Sequence, residues 1–166
     1  MSDSVQYRQM LPGEEQIIYE LVERVFNEFV AQGYEAAGVA GFLDYAAPDL
    51  LEQRSENDHF VLVATMDEAI VGMVEVREHR HISLFFVDSA WHGRGIGRQL
   101  MSLALARCQK ENPALAELTV NSSLYALTIY QHLGFRQAQP VQEDSGLRYI
   151  PMVRVILPED SENAPA

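Results

Sequence analysis

Apolar and polar positions follow two different periods along this chain. Between residues 14 and 32, Ile17, Ile18, Leu21, Val22, Val25, Phe26 and Phe29 recur at helical spacing, which predicts one amphipathic helix. Pro12-Gly13 precedes it and Gly33 supplies a stop signal. Shorter helical stretches are expected over 39–45 and 48–56. The pattern then changes to runs rich in Val and Phe, so that 59–65, 69–78 and 81–87 read as strands. Their connections, such as Met66-Asp67-Glu68, span only a few residues. They permit only an antiparallel meander, because a parallel crossover needs about a dozen residues or more. A helix is expected over 95–109, stopped by Pro113, then a short strand over 117–120. A further helix over 124–133 closes at Gly134, and a last strand over 148–157 follows the turn Glu143-Asp144-Ser145-Gly146. This order predicts a mixed α/β (α+β) sandwich around one sheet. No Gly/Ser linker interrupts it, so residues 1–157 are expected to form one domain. The acidic segment 158–166 is expected to fray.

Composition narrows the function classes. Of 166 residues, 48% are hydrophobic and 22% charged, which excludes a wholly disordered chain. Twelve basic against 24 acidic side chains give a net charge of -12. Such a surface repels phosphate backbones and anionic lipid, so neither nucleic acid nor a membrane is an expected partner. Cys108 is the only cysteine, which excludes an internal disulfide and a cysteine-rich zinc site. Its helical neighbours Ala104 and Leu105 point to core packing. His59, His79, His81, His92 and His132 show no metal-ligand spacing with a carboxylate, so no metal is expected. The first six residues lack the basic and apolar regions of a signal peptide. No apolar run approaches the roughly 20 residues that span a bilayer. The expected location is the cytoplasm.

The candidate chemistry lies in His92-Gly93-Arg94-Gly95-Ile96-Gly97, between a strand and a helix. Glycines there allow positive φ and close backbone approach, and the helix start offers unpaired N–H groups with a positive dipole end. That combination can hold a phosphate; an ordinary tight turn is the bland reading. A nucleoside-triphosphate loop would end in Gly-Lys-Ser/Thr, whereas Gly97 is followed by Arg98-Gln99. A dinucleotide loop would read G-x-G-x-x-G, and this one reads G-x-G-x-G after an antiparallel meander.

The stretch from Leu84 to Leu100, with this loop at its centre, resembles motif A of the GNAT superfamily of acetyl-CoA-dependent N-acyltransferases. Ala126-Leu127-Thr128-Ile129-Tyr130-Gln131-His132-Leu133-Gly134-Phe135 resembles motif B of the same family, A-x-x-x-Y-x-x-x-G-F. The likeness covers residues 59 to 157. It implies a twisted, mostly antiparallel mixed sheet flanked by helices, acetyl-CoA as acyl donor, and a small-molecule or protein amine as acceptor. Either a monomer or a homodimer fits.

The resemblance also assigns expected roles. The loop, His92, Gly93, Arg94, Gly95, Ile96 and Gly97 with Arg98 following, would hold the pyrophosphate. Phe86 and Val87 would pair with pantetheine. His92 stands where the family usually has Gln or Arg, and Ser123 where Asn is frequent; Asn121 lies two residues earlier. Tyr130 corresponds to the general acid for the leaving thiolate. Its reference pKa of about 10 lets it supply a proton at neutral pH. For the base, His81 occupies a strand position where some members carry glutamate. Glu75, among apolar neighbours, is the second candidate, and a water is the third. A non-catalytic acyl-CoA sensor on the same fold is the alternative function.

Overall fold

The computed structural model describes residues 4–157; residues 1–3 and the segment expected to fray, 158–166, lie outside the described residues. Strands β1 (Gln6–Gln9), β2 (His59–Met66), β3 (Ala69–Arg77) and β4 (His81–Val87) form the antiparallel half of one sheet. Beyond them come β5 (Glu117–Ser123) and β8 (Leu147–Val155), with β6 (Arg136–Gln137) and β7 (Gln142–Asp144) both paired to β8. Among these strands, only the β4–β5 contact is parallel. The architecture is the mixed α/β sandwich that the element order predicts.

Helices cover both faces, which is why β2 and β3 read as near-continuous apolar runs. On one face Phe60, Leu62, Val74 and Val76 meet Leu100 and Ala104 of α4 (Ile96–Glu111). On the other, Val61, Val63 and Met73 meet Ile18, Leu21 and Val22 of α1 (Glu15–Val25). Each such side chain contributes about 1.5–3 kcal/mol on burial. Pro48, with φ preset and no donor to lose, opens α3 (Pro48–Ser55), which follows α2 (Ala36–Tyr45). Cys108 is fully buried on α4, and burial pushes its thiol up to about 12, so it stays an unreactive packing group.

Two departures from the sequence reading shape the site. The helix expected over 14–32 divides: α1 ends at Val25, Phe26–Val30 is a π-helical turn, and Ala31–Gly33 is a 3₁₀ turn. The wider turn changes which side chains share a face, and Phe26 stacks on Phe42 with centroids 4.1 Å apart. Apolar spacing alone does not distinguish this from a continuous helix. The short strands β1, β6 and β7 were also not expected, because they are mostly polar and are held by pairing to longer neighbours.

The β4–β5 contact is confined to one end. His81 pairs with Thr119 and Ile82 with Val120, and the register goes no further. The two strands then diverge. On its other edge, β4 carries a bulge: Val76 faces Ile82 and Glu75 faces Leu84, which leaves Ser83 unmatched.

His81 therefore begins β4 at the closed end of the sheet, and its Nδ1 lies 2.7 Å from Thr119 Oγ1. His79, within the turn between β3 and β4, stacks on Phe60. Burial, then the charges of Arg77, Arg80 and His59, lowers the His81 pKa from 6.5 to about 4. Unfolding raises it again, so the contribution to stability is full above pH 6.5 and declines as pH falls toward 4. Allowing for partial solvent access, about 1–2 kcal/mol is at stake. Urea melts from pH 7 to pH 4 should show this loss, and His81→Gln should flatten it; an unchanged acid limb would contradict it.

Candidate functional site

β4 leads into the site through a short, tightly tied connection. Asp88 caps the 3₁₀ turn Ser89–Trp91 by accepting the Ala90 N–H at 3.0 Å, and it pairs with Arg24 of α1 at 2.6 Å. His92 Nε2 lies 2.7 Å from the Val87 carbonyl. A carbonyl can only accept, so this nitrogen carries the proton. That leaves Nδ1 as the ring nitrogen not used in the contact.

Gly93 and Gly95 both adopt the left-handed conformation, with φ of 77° and 79°. A Cβ at either would point into open space, so the requirement is conformational. At Gly97 the constraint differs: a Cβ would approach Phe85 Cζ to 3.1 Å, so this glycine lets α4 lie close on β4. Gly95 is the N-cap of α4 and makes no side-chain cap. The first α-helical bond at this end runs from Gln99 N to Gly95 O, so the N–H groups of Ile96, Gly97 and Arg98 precede any α-helical partner. Nearby, Arg94 lies over Trp91 at 4.5 Å, and Arg98 forms no ion pair among the described residues. An acidic protein thus has an uncapped, positive helix end beside two arginines. These are the donors a polyanion such as a pyrophosphate requires, and the cradle fits one.

A cavity of about 950 Å³ runs from this helix start into the opening between β4 and β5. Phe86 and Val87 line it from β4, and Asn121 and Ser123 from β5. His92, Gly93, Gly95, Ile96, Gly97 and Arg98 line the loop end, whereas Arg94 does not line it. Ser123 Oγ accepts the Ala126 N–H at 3.1 Å and so shapes the turn into α5 (Leu127–His132).

Tyr130, on α5, also lines the cavity. Its ring is wedged between Phe85 and Phe135, with centroids 5.9 and 5.5 Å away. Burial raises its phenol pKa well above the ordinary value of 10.0, so the group remains protonated across the physiological range.

The two candidate bases lie elsewhere. Neither His81 nor Glu75 lines the cavity. Glu75 is fully buried and accepts Arg54 Nε at 3.0 Å and Nη2 at 3.1 Å. It is linked to the cavity through Ser83, which does line it and whose Oγ donates to Glu75 Oε1 at 2.8 Å. Sequence reading passed over Ser83. The β-bulge that exposes it leaves no mark in local composition. Gly38 and Gly146 were also missed, and a backbone-to-backbone contact joins them: a Cβ on Gly38 would fall 2.3 Å from Gly146 O.

The chain matches the acetyltransferase (GNAT) domain family over residues 30–156. An uncharacterized N-acetyltransferase of Methanocaldococcus jannaschii is 33% identical over 73 residues, covering 43% of this chain; the match spans about a third (32%) of that relative's length. Among solved structures, the PaiA N-acetyltransferase of Thermoplasma acidophilum in complex with coenzyme A superposes with a TM-score of 0.78. It is 15% identical, and the likeness covers 92% of this chain and 99% of that one. A GCN5-related N-acetyltransferase from Rhodopseudomonas palustris gives a TM-score of 0.76 at 20% identity, over 94% and 99% of the two chains. The ribosomal-protein-S18-alanine N-acetyltransferase of Escherichia coli gives 0.64 at 15% identity, over 92% and 94%. These likenesses establish a shared fold, while the domain match runs from the end of the π-helical turn through β8. The chain belongs to the GNAT family of acetyltransferases.

Proposed function

We propose that this protein moves an acetyl group from acetyl-CoA directly to a primary amine while both are bound. The observation that carries this reading is the continuity of one cavity from the uncapped start of α4, along β4, to Tyr130. The coenzyme A bound in the Thermoplasma structure supports it.

The backbone N–H groups at Gly95, Ile96, Gly97 and Arg98 hold the pyrophosphate, with Arg98 adding charge. The free edge of β4 at Phe86 and Val87 takes the amides of the pantetheine arm, and Asn121 and Ser123 face them from β5. The amine nitrogen attacks the thioester carbonyl carbon, forming the C–N bond. As the C–S bond then breaks, Tyr130 gives its phenolic proton to the departing thiolate. The proton shed by the amine passes to Ser83 Oγ, while the Ser83 proton passes to Glu75 Oε1. The Ser83–Glu75 contact supports this route over one through His81, which binds Thr119 at the closed end of the sheet. Tyr130, a protonated phenol that lines the cavity, favours an enzyme over a purely acyl-CoA-sensing module, which needs no proton donor.

Three variants test the assignment. Gly95→Glu combines left-handed strain with a carboxylate in the cradle. It should weaken acetyl-CoA binding by about a hundredfold in calorimetry, with the fold intact by circular dichroism. Tyr130→Phe should lower kcat by about ten- to a hundredfold and leave the acetyl-CoA Kd within about twofold. Equal turnover would remove Tyr130 from the mechanism. For Ser83→Ala, kcat should fall about tenfold at pH 7 and recover toward pH 9.5, where more of the amine is already unprotonated. A pH-independent deficit would argue for a structural effect alone.

A further inference from the structure

The far end of the cavity differs from its phosphate end, and the difference bears on the acceptor. It is built largely of rings. Phe26 comes from the π-helical turn, Tyr34 from the segment after it, and Phe42 and Tyr45 from α2; Phe29, on the same turn, packs instead on His92 of the loop end and on Tyr125. Phe26, Tyr34, Phe42 and Phe86 of β4 form a continuous wall. Phe26 lies 6.1 Å from Tyr34 and stacks on Phe42, while Phe42 meets Phe86 of β4 edge-on at 5.9 Å.

Charge is scarce there. The chain carries 24 acidic residues, yet Asp144 is the one carboxylate lining the cavity among the described residues. Asp144 ends β7 and accepts a hydrogen bond from Ser145 Oγ at 3.0 Å. The hairpin that bears it is seated on α2. A Cβ on Gly146 would come within 2.9 Å of Gly38 N, so the two backbones touch with no room for a side chain between them. This contact sets Asp144 and the ring wall on opposing elements.

We infer that the acceptor is a small monoamine carried on a flat apolar body, its ring against the Phe26–Phe42 wall, and that Asp144 draws its ammonium into the cavity before the amine loses its proton at Ser83. This rests on the acyl-transfer reading above and specifies the substrate class for the same cavity. Rings bury the apolar body and attract a cation to their faces. A polyamine would bring two or more further ammonium groups to a wall with one carboxylate, leaving charges desolvated without partners. A polypeptide amine would bring backbone amides against Phe rings that cannot hydrogen-bond them.

The test is initial-rate acetyl transfer, followed as released CoA thiol, with phenethylamine, spermidine and a short peptide with a free amino terminus as acceptors. Acetyl-CoA binding is measured beside it by calorimetry. Phenethylamine should exceed both others in kcat/KM by at least about tenfold. Asp144→Asn should raise KM for phenethylamine about fivefold while leaving acetyl-CoA affinity unchanged. Faster transfer to spermidine or peptide overturns the inference, as does acetyl-CoA binding with no transfer to phenethylamine. A protein that does not bind acetyl-CoA fails at the earlier step, and both readings fall together.

Discussion

The parting of β4 from β5 is the constraint on which the rest of the molecule depends. Parallel pairing holds for His81–Thr119 and Ile82–Val120 and then stops, although both strands continue. A sheet rarely gives up an internal edge, because each unpaired peptide group forfeits a hydrogen bond. Here the interruption creates the cavity. It opens between two fully formed halves of a sheet, so its walls are rigid and the free edge of β4 offers an extended amide ladder. The glycine loop at the end of the same strand turns the chain directly into α4 and places the helix start over one mouth.

A second device joins the sheet to the ring-lined wall of the cavity. Glu75 projects from the middle of β3 and is fully buried, a position that is costly for a carboxylate without compensation. Arg54 of α3 supplies two hydrogen bonds, and its third side reaches the Tyr45 carbonyl at 2.7 Å. The same guanidinium stacks on the Tyr45 ring at 3.9 Å. One cation thus ties a central strand, the end of α2 and a cavity-lining ring together. Removing a single partner from such a buried pair generally costs about 3–5 kcal/mol, since a charge is stranded. The arrangement also gives Glu75 a structural duty beside the proton route proposed through Ser83.

Much of this was legible in the chain, and the illegible parts share a cause. The meander, α4, β5, α5 and the closing strand follow from apolar period and glycine or proline punctuation, because those features act locally. The loop from His92 to Gly97 stood out through three glycines at a strand-to-helix junction, and Tyr130 through the resemblance of residues 126–135 to motif B of the GNAT family. The short strands β1, β6 and β7 are too polar for any periodic signal and exist because β2 and β8 present edges to them. The π-helical turn keeps the apolar composition of a helix and changes only its register.

Local physics therefore determined, from sequence alone, the order of the longer elements and the glycine-rich start of α4. Tertiary structure decided what those elements enclose. Whether Ser83 reaches the cavity depends on a bulge in β4, and the burial of Glu75 behind it depends on Arg54, 21 residues away in the chain. The ring-lined end of the cavity required Gly38 and Gly146 to meet across more than a hundred residues. Neither glycine shows, in its own neighbourhood, the backbone it will touch. Propensity and periodicity are set by neighbours along the chain, whereas a cavity is set by neighbours in space.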